Sequence, residues 1–218
     1  MDRALQLASN LIRKVERMID LGCNNGGITQ MFKEKLGVKE VYGVDIDEEA
    51  IFVAKQRGVK AYCLNLSEDK LPFPDEYFDL AISFEVIEHL MNPDNMLREA
   101  NRVLKKGGIL LVSTPNLASW VNRIFFLFGY QLYNVEVSTE IIAGVPYMKG
   151  VFEKPTGHIR AFTLKALKQL LKHHGFQTIK AIGSPGVNPK NRFFKLLDRL
   201  FSLRCSLARR LIVLAVKS

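Results

Sequence analysis

Several things are scarce in this chain, and each scarcity excludes something. Its 218 residues hold three cysteines, Cys23, Cys63 and Cys205, odd in number, widely spaced and without a CxxC pair. That argues against a disulfide framework and a structural zinc site, and it fits a reducing compartment. Long apolar runs are missing as well. The longest, such as residues 211–216, fall far short of the ~20 residues a membrane span requires, and no charged and then apolar leader pattern opens the sequence. The expectation is therefore a soluble, cytoplasmic protein with no transmembrane segment. Acids are scarce in one region only. Residues 154–218 carry 14 Lys and Arg against a single acid, Asp198, for a net charge of +13, whereas residues 1–153 sum to −4. Such a tail invites an anionic partner: RNA, a phosphorylated or nucleotide-linked small molecule, or an acidic membrane surface. The plain alternative is a solvated basic face.

What is present is alternation. Short apolar segments bounded by turn residues recur at 18–20, 41–45, 61–65, 78–83 and 109–114 and read as buried parallel strands. Helical patterns lie between them at 29–36, 48–57, 86–90 and 93–106, three of these stopped by glycine. Further on, a helix over 163–174 is followed by a strand over 176–182, an amphipathic helix over 191–204 and a last strand over 211–216. This predicts one α/β domain over residues 1–218, with a doubly wound, mostly parallel sheet. Residues 116–157 break the alternation with an aromatic stretch of no clean period, too long for an ordinary connection, and read as an inserted lid.

The stretch RMIDLGCNNGGITQMF places a glycine-rich turn directly after the first strand. In open α/β sheets ligands bind beyond the carboxyl ends of the strands, and such a turn lets backbone approach a cofactor closely. Glycines at 22, 26 and 27 do not make the dinucleotide fingerprint, because Asn24 stands where its second glycine belongs. Asp45, at the tip of the second strand in YGVDID, adds a carboxylate able to take both ribose hydroxyls of a nucleoside. Together these features specify a nucleoside cofactor, with NAD and S-adenosylmethionine both open. The competing role for Asp45 is that of a helix N-cap.

From this point the chain resembles the class I S-adenosylmethionine-dependent methyltransferases of the type 11, UbiG-like group. The resemblance runs over most of residues 15–115, through IDLGCNNGG, GVDID, NLSEDKLPFPDEYFDLAISFEVIEHL and REANRVLKKGGILLVSTPN. It implies a Rossmann-like seven-stranded sheet whose last strand is antiparallel and slots beside the fifth. By the same resemblance Asp20, Gly22, Cys23, Asn24 and Gly26 would line the methionine part of S-adenosylmethionine. Asp45 and Ile46 would hold the ribose, Asn65 and the Leu66 backbone the adenine edge, and the Ser83 carbonyl the amino group. Two departures are Asn24, in place of the usual middle glycine, and Asn65, where an acid is common; Asn65 keeps an acceptor oxygen, so weaker binding is expected. A sulfonium methyl is already activated, so the absence of a Ser/His/Asp arrangement is expected too.

SFEVIEHL sets Glu85, Glu88 and His89 at helical spacing, and topology puts His158 of TGHIRAFT at the same sheet edge. Glu85, His89 and His158 are the candidates for catalytic proton handling. All four could hold Mg2+ or Mn2+, similar to the metal site of small-RNA 3′-terminal 2′-O-methyltransferases and ubiquinone-pathway O-methyltransferases. Against this, such a stretch also caps helices in relatives with no known metal, and His158 can serve substrate binding alone. The segment from Trp120 to Tyr133 would roof the acceptor site, ordinary core packing being the alternative for Phe125, Phe126 and Phe128. In RFFKLLDRLFSLR, Phe193, Leu196, Leu197, Leu200 and Leu203 form a stripe that either packs on the sheet or meets a membrane or partner. The pairs His173-His174 and Arg209-Arg210 read as solvated ends. The leading expectation is methyl transfer to an oxygen or nitrogen of a small-molecule or lipid-linked, anionic acceptor. The alternatives are a metal-using RNA 2′-O-methyltransferase and a non-catalytic, cofactor-binding partner subunit.

Overall fold

A computed structural model describes residues 2–12, 14–146, 154–186 and 192–218. Seven strands form one sheet: β1 (Arg17–Leu21), β2 (Glu40–Asp45), β3 (Lys60–Cys63), β4 (Phe78–Phe84), β5 (Leu104–Pro115), β6 (Phe176–Ser184) and β7 (Arg210–Lys217). Their order across the sheet is β3-β2-β1-β4-β5-β7-β6, and all neighbours are parallel except those of β7. The last strand in sequence thus runs antiparallel between β5 and β6, with Leu111 opposite Leu214 and Ile182 opposite Ile212. The doubly wound, Rossmann-like α/β sheet read from the sequence is the observed one.

Near-continuous apolar strands require cover on both faces, and the helices supply it. One core joins Ala4, Leu7 and Ala8 of α1 (Asp2–Leu11), Phe32 of α2 (Gly27–Leu36), and Ile51 and Ala54 of α3 (Glu48–Gln56) to Met18, Leu80 and Leu214. The other joins Met96, Leu97 and Val103 of α4 (Pro93–Val103) and Leu167 and Leu171 of α6 (Leu164–His173) to Ile19, Ala81 and Val213. Capping follows the sequence: Asp47 accepts from the Glu49 and Ala50 amides to start α3, and Thr163 from the Ala166 amide to start α6.

Three local expectations are corrected. The segment expected as a helix over 86–90 is a single 3-10 turn, Ile87–His89, because Glu85 ahead of it lies in the left-handed region at φ 57°. The helix expected to reach 106 stops at Val103, since Leu104 already pairs with Phe78. The aromatic stretch, expected without clean period, contains α5 (Trp120–Leu127), capped by Ser119. The helix expected over 191–204 is α7 (Arg192–Phe201); Asn191 lies outside the described residues, as do 147–153 of the expected lid.

Candidate functional site

β1 and β4 adjoin in the sheet although β2 and β3 separate them in sequence, so the winding reverses between them. Chain leaving their carboxyl ends therefore diverges and opens a crevice. Beyond β1, Gly22 takes φ 89° and Asn24 φ 44°. Gly22 is doubly required, because a Cβ there would also overlap the Val86 side chain. The Gly22 and Cys23 amides both donate to the Val44 carbonyl, at 2.8 and 2.9 Å, which pins the turn to the end of β2. Asp45 is then held at the rim: Oδ2 accepts from the Asn24 amide at 2.7 Å and Oδ1 from the Asp47 amide at 3.1 Å. The capping role goes to Asp47.

The crevice encloses about 480 Å³, within the range of small-molecule sites. Gly22, Asn24, Asp45, Ile46, Asn65 and Leu66 line it, together with Val86, Leu90 and Met91 from the chain beyond β4. Asp20, Cys23, Gly26 and Ser83 are not on its surface; they brace the turn from behind. The Asp20 carboxylate accepts from Thr29 Oγ1 at 2.7 Å; burial pushes its pKa up to about 7, the Thr29 bond opposes this, and the nearby Asp45 charge adds to it. The Cys23 thiol is buried against Gly43, where a Cβ would stand 2.6 Å from Sγ, and burial raises its pKa strongly. Gly26, at φ 75°, starts α2, and Ser83 Oγ donates to the Leu21 carbonyl at 2.9 Å.

A second cavity, of about 350 Å³, shares Glu85 and His89 with the crevice. Its other walls include His158, Asn116, Asn122, Tyr133, Asn134, Arg209 and Arg210. Glu85, turned by its positive φ, spends both oxygens elsewhere: Oε1 accepts from Ser113 Oγ at 2.7 Å and Oε2 from Arg210 Nε at 2.9 Å. It therefore stands apart from the ligand set expected for a metal. Glu88, His89 and His158 do converge, with one donor atom of each lying within 4.8 Å of the others. Backbone explains how: the Ile159 and Arg160 amides both donate to the Glu88 carbonyl at 2.9 Å, which ties the distant segment to the 3-10 turn.

Glu88 is 1% exposed, and neither carboxylate oxygen has a hydrogen-bonding partner among the described residues; the Thr114 hydroxyl lies beside it without meeting hydrogen-bond geometry. Burial first and Glu85 second push its pKa up to about 8. An orphaned, buried carboxylate beside two imidazoles whose ring centroids are 4.9 Å apart is a donor set that fits a divalent cation.

Both rings are held in one tautomer. His89 Nδ1 lies 3.0 Å from the Gly157 carbonyl, which can only accept, so Nδ1 carries a proton and Nε2 is the ring atom left for another partner. Thr156 Oγ1 donates to Glu136 at 2.6 Å and so accepts from His158 Nδ1 at 3.2 Å, freeing His158 Nε2 as well. Glu136 also accepts from the Thr156, Gly157 and His158 amides. Burial, then the proximity of His89, lowers the His158 pKa and favours the neutral ring.

Glu136, Thr156 and the asparagines have no counterpart among the residues singled out from the sequence. The available signal was polar Asn122 and Asn134 within an aromatic run; they are buried and bonded to each other. The Arg209-Arg210 pair is corrected from a solvated end to cavity wall. The Arg209 side chain is 9% exposed, 3.9 Å from Asp198, and its Nη1 has no hydrogen-bonding partner among the described residues. His174 is likewise corrected: it is half-buried, with Nε2 2.8 Å from Asp94.

Residues 19–112 match the methyltransferase domain family. An uncharacterised protein of Methanocaldococcus jannaschii is 30% identical over 165 residues, covering 76% of this chain and 66% of that protein. A probable S-adenosylmethionine-dependent methyltransferase of Mycobacterium tuberculosis is 33% identical over 99 residues, 45% of this chain and 35% of that protein. The chain thus spans less than two thirds of either relative. Among solved structures, a Thermotoga maritima S-adenosylmethionine-dependent methyltransferase, described as a "possible histamine N-methyltransferase", superposes with a TM-score of 0.64 at 21% identity, covering 99% of this chain and 87% of that one.

Proposed function

We propose that the chain, which resembles the S-adenosylmethionine-dependent methyltransferases over residues 19–112, moves a methyl group from S-adenosylmethionine to an oxygen or nitrogen of a small-molecule or lipid-linked, anionic acceptor. One observation carries this reading: the crevice and the second cavity meet at Glu85 and His89, so ligands in the two would face each other there. When bound, S-adenosylmethionine supplies a methyl already activated on a positive sulfur. What is left to the chain is to bind, align and exclude water. Gly22 and Asn24 leave room at the backbone, the Asp45 carboxylate offers acceptors to the ribose hydroxyls, and Asn65 and Leu66 border the adenine end. Asp20, Cys23, Gly26 and Ser83 support the methionine end from the next layer inward.

On the acceptor side, His89 and His158 each commit Nδ1 to a fixed partner, which leaves Nε2 of either ring as the atom to take a proton from the attacking group. Glu88, His89 and His158 are also the residues that would hold Mg2+ or Mn2+, whose chemistry there is to lower the pKa of an acceptor hydroxyl. Glu85 serves by holding Arg210 at the junction. Among the described residues of the proposed lid, Glu136 fixes Thr156 and His158. Arg209 and Arg210 in the cavity wall favour an anionic acceptor.

Transfer of tritiated methyl into a small-molecule extract, a lipid extract and total RNA, each with Mg2+ or with a chelator, tests the reading. Label in the first or second fraction is expected. Label only in RNA, or none while S-adenosylmethionine still binds, would replace it by one of the two alternatives.

A further inference from the structure

Helix α7 shows an unusual allocation of its side chains. At about 100° per residue, Phe193, Leu196, Leu200 and, in the turn that follows, Leu203 fall within an arc of roughly 80°. Arg192, Lys195 and Arg199 form the adjoining arc. The helix is anchored by its other side: Phe194 and Phe201 each pack 5.0 Å from the Trp120 ring, and buried Asp198 accepts from Trp120 Nε1 at 3.0 Å and from the Gly186 amide at 2.9 Å. That anchoring turns the leucine stripe outward. Phe193, Leu196, Leu200 and Leu203 are 67, 54, 54 and 78% exposed, far more than a stripe packed on the sheet would be.

Beside the stripe runs a groove of about 710 Å³ lined by Leu196, Leu200, Leu203, Arg3, Arg199 and Arg210, with Asp2 its one carboxylate. Gly186 and Arg210 belong both to this groove and to the second cavity, so the two spaces adjoin. Arg192, Lys195 and Arg199 form no ion pair among the described residues; Asp198, the one acid of residues 154–218, is committed inward.

We infer that this face is a docking surface for an anionic lipid bilayer, with the leucine stripe entering the interface and Arg192, Lys195 and Arg199 meeting the head groups. An apolar arc edged by cations is what an interfacial helix needs. RNA would use the cations but gain little from four exposed apolar side chains. No helix among the described residues is long and apolar enough to cross a membrane, so the association is peripheral. Docking this way sets the groove, and through it the second cavity, at the lipid surface. That last step, delivery of an acceptor, rests on the methyltransferase reading; the docking does not.

Co-sedimentation of the full chain with phosphatidylcholine vesicles, with and without about one third phosphatidylglycerol, reads the proposal directly. Binding to the anionic vesicles alone, weakening as salt is raised, is the expected result. The double variant Leu196→Glu, Leu200→Glu should bind at least roughly tenfold more weakly, with its melting temperature and its affinity for S-adenosylhomocysteine unchanged. Arg192→Ala, Lys195→Ala, Arg199→Ala should lose both affinity and most of the salt dependence, and it serves as the second probe if the leucine variant misfolds. No binding to anionic vesicles at low salt overturns the inference. So does undiminished binding by folded variants, or a leucine variant whose only change is loss of self-association. RNA binding that needs the cations but not the leucines, without vesicle binding, also overturns it. Vesicle binding in a protein that transfers no methyl group would keep the docking surface and remove the proposed function.

Discussion

The two spaces that meet at Glu85 and His89 are assembled in opposite ways. The crevice draws its recognition groups from closely spaced turns, at 22–24, 45–46 and 65–66, each following a strand of one parallel run. Its geometry is set by backbone: positive φ at Gly22 and Asn24, and amides bonded to Val44 and Asp45. The second cavity is gathered from separate stretches around 85–89, 115–134, 156–158, 186 and 209–210, and its geometry depends on bonds between segments far apart in sequence, such as the Ile159 and Arg160 amides on the Glu88 carbonyl and Arg210 on Glu85. The difference teaches that, on the proposed reading, the adenosine of the cofactor would meet a cradle fixed by backbone, whereas the acceptor would meet a wall gathered from distant side chains.

The comparison can be broken hardest at Gly22. Gly22→Ala forces a side chain into positive φ and onto Val86, and should cost about 2–4 kcal/mol in thermal or denaturant unfolding, with cofactor affinity lost as well. Asp45→Ala should leave the fold in place but weaken cofactor binding roughly 100-fold by calorimetry, since two charge-assisted bonds are worth about 3 kcal/mol together. A far smaller effect there would mean the carboxylate does not meet the ribose.

Asp20 sharpens the contrast through pH. Its carboxyl, held at about 7 in the fold against an ordinary value of 3.8, keeps a proton that the unfolded chain has lost. Stability of the ligand-free protein should therefore fall as pH rises from about 4 to 7. Asp20→Asn, which can still accept from Thr29, should remove that slope and gain on the order of 4 kcal/mol relative to the parent by pH 8 in unfolding measured across the range. Equal slopes in both proteins would contradict the assigned burial.

The smallest effect is expected on the other side of the junction. Glu136→Gln removes the anion facing His158 and should lower that imidazole's pKa by roughly half a unit in an NMR titration, while cofactor affinity stays within about twofold. A matching loss of cofactor affinity would show that the two spaces are not independent.

Much of the architecture was legible because strand, glycine turn and capping acid are neighbours in sequence. The seven strands and the Gly22 and Asp45 turns rest on such contiguous signals, whereas the antiparallel placement of β7 was implied by the family resemblance alone. What escaped depends on distant partners. The left-handed conformation of Glu85 follows from its bonds to Ser113 and Arg210, and nothing in EVIEH announces it. Arg209 looked solvated because the burial of β7's approach depends on Asp198 and Gly186, residues that α7 and β6 bring from elsewhere. α1 was missed for another reason: it buries only Ala4, Leu7 and Ala8, too thin a face to stand out by period.

The central claim is that the turn at 22–24 and the carboxylate of Asp45 form a cradle for an adenosine bearing a sulfonium. Calorimetric titration of the purified chain with S-adenosylmethionine, and separately with NAD, tests it most directly. The account predicts saturable binding of one S-adenosylmethionine per chain, abolished or greatly weakened in Asp45→Ala, and no heat from NAD. Binding of NAD in its place, or no binding of S-adenosylmethionine to the folded protein, would contradict it.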